Sequence, residues 1–161
     1  VLSTLGYPLM AVALPHMEQP VNDLFNEQRE GQGSKMIPTN MALRKCVKQL
    51  KSNKLVALVA DRDFGTDGLE MDFLGKKMLV PKGAAVFSFK TGAAIIPVFL
   101  IRCEDRTFEL SCYEPIYPPK RGEGNDSKVI ADLMHRYVSI IEKNVRLYPS
   151  QWLLFREFCV Q

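Results

Sequence analysis

The sequence predicts an α/β fold, a mainly parallel sheet flanked by helices, and three observations carry that expectation. Short continuous apolar runs, the strand signal, recur at residues 9–14, 55–60 and 94–102. Segments with helical apolar spacing fall between and after them, and glycines and prolines punctuate the junctions. Strands alternating with helices bury both faces of a parallel sheet, and right-handed crossovers are expected. The chain has 161 residues, 47% apolar and 24% charged. That composition excludes a disordered tail or fibrous repeat, and the length fits one domain over residues 1–161.

The first run, LMAVAL at 9–14, lies between Tyr7-Pro8 and Pro15, as a fully buried strand would. A helix is expected from Asn22, its cap, with Val21, Leu24, Phe25 and Gln28 on one face and Gly31 and Gly33 at its end. Residues 35–38 read as a brief second strand. Thr39 or Asn40 then caps an amphipathic helix with Leu43, Cys46, Val47 and Leu50 inward and Arg44, Lys45, Lys48 and Lys51 outward. LVALVA at 55–60 is the strongest strand signal. It runs into a polar loop at 61–68, followed by an alternating stretch at 69–74 and a helix over 82–91 ended by Gly92. Residues 94–102 read as a long strand, with Pro97 implying an edge or a bulge. Glu104-Asp105-Arg106 turns into a strand at 108–113, and a Pro- and Gly-rich connection follows over 114–127. Asp126 or Ser127 caps the last long helix, whose apolar face is Ile130, Leu133, Met134, Tyr137, Ile141 and Val145.

A net charge of +3 is too mild to argue for a nucleic-acid partner, and no run of 18 apolar residues is present. The four cysteines, Cys46, Cys103, Cys112 and Cys159, lack metal-like spacing and read as buried reduced thiols of a cytosolic protein. With only His16 and His135, a His-rich metal site is excluded. The chain opens Val1-Leu2-Ser3-Thr4 without an initiator Met or a signal-peptide pattern, and so reads as cut from something longer.

In open α/β sheets ligands collect at the carboxyl ends of strands, and the 61–68 loop follows such an end. Asp61 and Asp63 flank Arg62, while Gly65 and Gly68 allow close backbone approach. The competing reading is a solvated Asx-turn at Asp63 or Asp67. A calcium loop fails in both registers, since Gly65, Thr66 and Leu74 stand where ligands or the turn glycine belong. A magnesium-dependent phosphatase of the haloacid-dehalogenase type, with the pattern D-x-D-x-T, also meets Gly65 in place of Thr. It is the weaker enzyme alternative. Arg29, at the end of its helix, is expected on the same sheet edge, where it would clamp a phosphate or carboxylate. The bland alternative is a helix-terminal cation. Neither histidine stands in an H-x4-[DE] arrangement.

The run ADRDFGTDGLEMDFLGKKMLVPKGAAVFSFKTGAAIIPVF, residues 60–99, resembles the bacterial lipid A lauroyl/myristoyl acyltransferases. It is equally similar to the phosphatidylinositol mannoside acyltransferases of the same group. The family's shared pattern is a D-[QRH]-D loop, an F-x-G element, P-x-G-x-A-x-L, where this chain has Phe87 for the Leu, and T-G-A-x-[IL]-[IL]-P. Upstream, Pro20-Val21-Asn22-Asp23 to Arg29 is similar to N-P-x-[LI]-D…R; near the end, Tyr148-Pro149-Ser150-Gln151-Trp152 resembles [HY]-P-x-Q-[YW]. The resemblance implies a glycerolipid-acyltransferase-like fold and acyl transfer from acyl carrier protein or acyl-CoA to a glycolipid hydroxyl, such as that of a lipid A precursor. It implies no cofactor and no metal, and a place on the cytoplasmic face of the bacterial inner membrane. The family's base is a His in an H-x4-[DE] motif. That motif and a membrane helix precede the stretch matching residues 2–14, so the chain is expected to be the N-terminally truncated, C-terminal portion of an acyltransferase domain, inactive alone.

Carried over by position, the resemblance makes Arg29, Asp61 and Glu70 the candidate catalytic residues, Glu70 as a partner for the missing His. Arg29, Arg62, Asp63 and Gly65 are the candidate substrate-binding residues. Phe155-Arg156-Glu157-Phe158 departs from the family by lacking a His before the Arg. The basic helix face (Arg44, Lys48, Lys51) and Lys76-Lys77 are candidates to meet anionic headgroups or an acidic carrier protein. A non-catalytic module binding lipid or a partner is the third reading.

Overall fold

The computed structural model describes residues 2–3, 5–7, 9–13, 18–31, 33–38, 42–61, 68–120 and 125–154. The chain divides into two compact units, Val1–Val59 and Ala60–Gln161.

In the first unit, β1 (Leu9–Ala13) is the central strand of a parallel sheet ordered β2-β1-β3, with β2 at Lys35–Pro38 and β3 at Leu55–Ala57. Met10 aligns with Lys35 on one side and with Val56 on the other. The helix α1 (Gln19–Gly31) links β1 to β2, and α2 (Ala42–Lys51) links β2 to β3. The strand order therefore reverses at β1, as in doubly wound sheets.

Several sequence expectations shift here. α1 begins at Gln19 rather than at Asn22, because Pro20 fits the first turn, where its missing N–H costs nothing. Asn22 sits one turn in, donating its N–H to the Glu18 carbonyl at 3.0 Å. No residue of α1 is buried, and Val21, Leu24 and Phe25 are exposed. On α2, Ala42 and Cys46 are buried while Leu43 is exposed, so the packed stripe is narrower than the spacing implied. Burial pushes the Cys46 thiol above the usual cysteine range. Cys103 is half-buried and Cys112 exposed, which corrects the expectation of buried thiols; Cys159 lies outside the described residues. β1 is half-buried rather than fully buried over residues 9–12, and β3 pairs over three residues only, with Leu55 and Val59 exposed. The caps proposed at Thr39 and Asn40 lie outside the described residues.

The second unit starts with the hairpin β4 (Gly68–Phe73) and β5 (Lys76–Pro81), antiparallel, with Phe73 opposite Lys76. Its two-residue turn, Leu74-Gly75, has φ of 53° and 79°, the doubly left-handed geometry that matches the twist of a tight hairpin. β5 is absent from the sequence expectation. Its alternation is visible once Met78 and Val80 are seen buried between Lys77, Leu79 and Pro81. α3 (Gly83–Thr91) ends at Gly92, whose N–H bonds the Ser88 carbonyl at 2.8 Å.

The long strand expected at 94–102 is interrupted. Ile95 makes an isolated bridge to Ile116, Pro97 breaks the ladder, and only β6 (Val98–Arg102) pairs with β7 (Phe108–Cys112), antiparallel. Among the described residues parallel pairing is thus confined to β1–β3. The fold is α/β, but its remaining four strands form antiparallel hairpins rather than extending a mainly parallel sheet.

The last helix, α4 (Asp126–Leu147), is capped by Asn125, one residue before the expected caps. The Asn125 side chain accepts from the Ser127 and Lys128 N–H groups. Its face of Leu133, Met134, Tyr137, Val138, Ile141 and Val145 packs in one cluster with Met71, Phe73, Met78, Val80, Ala85 and Ile116. The buried polar groups of α4 are satisfied. Asn144 Nδ2 donates to the Ile140 carbonyl and to the Tyr113 hydroxyl, and the Tyr137 hydroxyl donates to the Pro81 carbonyl at 3.0 Å. Among the described residues no helix is long and apolar enough to cross a membrane.

Two stability outcomes follow from this core. Burial raises the Tyr137 phenol above its ordinary pKa of about 10. Its stabilising contribution is complete below about pH 10 and is lost as pH rises through the folded value, because the unfolded chain then releases a proton that the folded chain keeps. Tyr137→Phe should therefore cost about 1 kcal/mol at neutral pH. It should also make the alkaline loss of stability shallower in urea titrations above pH 10; an unchanged alkaline slope counts against the buried phenol. At Gly68 an added Cβ would lie 2.7 Å from Leu79 Cγ and 2.8 Å from the Val80 carbonyl oxygen. The backbone oxygen cannot swing aside, so Gly68→Ala should destabilise by roughly 1–3 kcal/mol in the same titration.

Candidate active site

Asp61 follows the end of β3 by four residues and is half-buried. Its Oδ2 accepts a hydrogen bond from the indole N–H of Trp152 at 3.0 Å. The indole rests on Phe73, with centroids 5.5 Å apart and planes at 56°, and Phe73 is fully buried on β4. Trp152 is delivered by the 3-10 turn Pro149–Gln151, which follows α4. That turn is itself fixed: Gln151 brackets the Arg102 peptide at the end of β6, Oε1 accepting from its N–H at 2.8 Å and Nε2 donating to its carbonyl at 3.0 Å. Two stretches far apart in sequence, the acidic loop and the closing Pro-Ser-Gln-Trp, therefore meet at Asp61.

Gln151 and Trp152 belong to the closing stretch of the family resemblance, which by itself assigns neither a role. The available signal was a lone tryptophan in a short tail, since a packed indole needs an acceptor for its N–H. Arg62, Asp63 and Gly65 lie outside the described residues, as do His16 and the departure at 155–158. Gly68 shows the close backbone approach expected of it, at the foot of the hairpin.

Glu70 stands opposite Leu79 on the outward face of β4 and is exposed. Its neighbour on that face, Asp72, pairs with Lys77 across the hairpin at 2.8 Å. The hydrogen bond to Asp72, aided by the charges of Asp72 and Glu70, holds Lys77 above the usual lysine range. All of these groups face water, where such pairs contribute little to stability.

Arg29 belongs to the first unit, in the last turn of α1. It is half-buried, and its guanidinium lies 5.5 Å above the Phe25 ring. Its carbonyl accepts from the Ser34 N–H, one residue before β2. Arg29 thus sits at the amino end of β2, not at the carboxyl ends of the strands where it was expected. The reason is topological: a helix joining two parallel strands carries the chain back to the starting edge of the sheet. Beside this turn opens a groove of about 520 Å³ whose floor includes Met10 and Ile37 and whose rim carries Lys35, Lys45 and Lys48. No group of three or more His, Cys, Asp or Glu that could hold a metal occurs among the described residues.

The model of the family described as bacterial lipid A biosynthesis acyltransferase matches residues 2–158. Phosphatidylinositol mannoside acyltransferases of Mycobacterium tuberculosis and Mycolicibacterium smegmatis are 27% identical over 134 residues, 80% of this chain. The chain spans about two-fifths of the length of these relatives, 39% and 41% respectively. With the match running through nearly every described element, the chain belongs to the bacterial lipid A biosynthesis acyltransferase family.

Proposed function

We propose that this chain forms part of an enzyme that moves a fatty acyl group from a thioester, on acyl carrier protein or CoA, to a hydroxyl of a glycolipid at the cytoplasmic face of the bacterial inner membrane. The observation that carries this reading is the carboxylate of Asp61 held by Trp152, which joins two of the stretches on which the family resemblance rests. A lipid A precursor is the acceptor that the family description suggests. The names of the mycobacterial relatives bring in a phosphatidylinositol mannoside as the other glycolipid of this kind. The fold in this reading is that of the glycerolipid acyltransferases.

In the reaction the acceptor hydroxyl attacks the thioester carbonyl, a base takes its proton, and the thiolate leaves. The resemblance assigns the base to a His in an H-x4-[DE] motif, which neither His16 nor His135 provides. The residues of this chain then bind and orient. Asp61, with Arg62, Asp63 and Gly65, shapes the acceptor side, and Glu70 is the candidate partner of the base. Arg29 has a role in binding rather than in proton transfer. Its guanidinium is always charged, and its face is already braced on Phe25, so its planar donors suit a phosphate or carboxylate. The groove near Arg29 supports an anionic ligand, whether a lipid headgroup or an acidic carrier surface, because Lys35, Lys45 and Lys48 line it against one carboxylate, Glu30.

Acyl transfer is measured by mass spectrometry of the acceptor after the full-length enzyme, of which this chain is a part, is incubated with an acyl thioester. Arg29→Ala and Asp61→Asn should each lower the rate by about 100-fold, the scale of lost positioning or acid–base assistance, with melting curves close to wild type. Wild-type rates in either variant would remove that residue from the mechanism.

A further inference from the structure

We infer that Trp152 is a positioning residue for Asp61, fixing the plane of its carboxylate through the indole N–H. The inference rests on the proposed role of Asp61 and extends it to a residue 91 positions away. The indole is a donor only, so it can hold a carboxylate oxygen but cannot exchange a proton with the substrate; it acts through Asp61. A hydrogen bond to an ionised acceptor is roughly twice as strong as a neutral one, enough to select a single orientation at a chain segment with no ladder of its own.

The donor is itself immobilised from three directions. Its ring lies on Phe73, which is 0% exposed. Its carbonyl accepts from the Leu154 N–H at 2.9 Å, and the preceding Gln151 is bound on both sides of the Arg102 peptide. A group that positions a reacting carboxylate needs this kind of support, because about 1 Å of misplacement costs on the order of 100-fold in rate. Trp152 also carries the Phe73 contact, so the indole does two separable things. Its ring packs and its N–H orients.

Trp152→Phe keeps a ring against Phe73 and removes the N–H, while Trp152→Ala removes both. In the full-length enzyme that supplies the base, Trp152→Phe should lower kcat about tenfold or more while KM for the thioester stays within about twofold and the melting temperature within about 2 °C. Trp152→Ala should lose kcat and melt lower. The double variant Asp61→Asn/Trp152→Phe should be no slower than Asp61→Asn alone, since the indole acts only through the carboxylate charge that Asn already removes. The chain has a single tryptophan, so its one indole N–H resonance in a 15N-labelled spectrum should move in Asp61→Asn. An unmoved resonance overturns the inference, as does wild-type kcat in Trp152→Phe when Asp61→Asn is inactive. Wild-type kcat in Asp61→Asn instead sinks the proposed role of Asp61. No transfer by the wild-type full-length enzyme, base included, counts against the proposed function, and the positioning role falls with it.

Discussion

Tyr137 reaches from α4 to the carbonyl of Pro81, while its ring, with Leu133, Met134, Ile141 and Val145, shares one core with Met71, Phe73, Met78 and Val80. The core both anchors the end of β5 and holds the inner face of the hairpin. Phe73 is placed by that packing, Trp152 by Phe73, and the carboxylate of Asp61 by Trp152. The candidate site is therefore the last member of a chain of contacts that begins in the apolar face of one helix. Interiors this dense relax only partly when a member is cut down, so changes in α4 are transmitted along the series rather than absorbed.

The parts of this arrangement readable in the sequence are those with strong periodicity. The stripe on α4 repeats at 3.6 residues over 22 positions, and all of its named members are buried or half-buried. The end of α3 was marked by Gly92, where a left-handed residue must follow the helix. What escaped were features set by pairing partners. β5 opens with two lysines, whose outward exposure hid the inward Met78 and Val80. The run at 94–102 looked like one strand because apolarity alone does not show that Pro97 cannot donate to a ladder and that only Val98–Arg102 meets a partner. Asn125 caps α4 in place of Asp126 or Ser127, because its side chain is the one that turns back to the free N–H groups of the first turn.

The positions of the candidate residues were legible in the sequence unevenly, and for a physical reason. Asp61 and Gly68 are local features of a loop after a strand, and local chemistry is visible in a single line of residues. The placement of Arg29 depended on the direction in which α1 returns the chain. A connection between parallel strands must cross the whole sheet, which takes the end of α1 away from the strand carboxyl ends. The parallel register of Met10 with Lys35 makes that return explicit. Glu70 was placed correctly on an alternating strand, but alternation does not say which face meets the core. Its side is shared with Asp72 and Lys77 in solvent.

The choice of an indole at Asp61 has a consequence of its own. A lysine or arginine donor brings a charge of its own, whereas an indole leaves intact the carboxylate charge through which Asp61 would act in the proposed role. A backbone N–H would preserve the charge but would tie the site to the geometry of a loop, the part of a fold that opens first. The Trp152 N–H donates without adding charge, from a ring that the buried Phe73 holds in place. It takes the precision of the core to a residue outside every strand and helix. The same logic explains why Gln151 grips the Arg102 peptide from both sides: the turn bearing Trp152 is three residues long, too short to hold itself, and is fixed by the end of β6 instead.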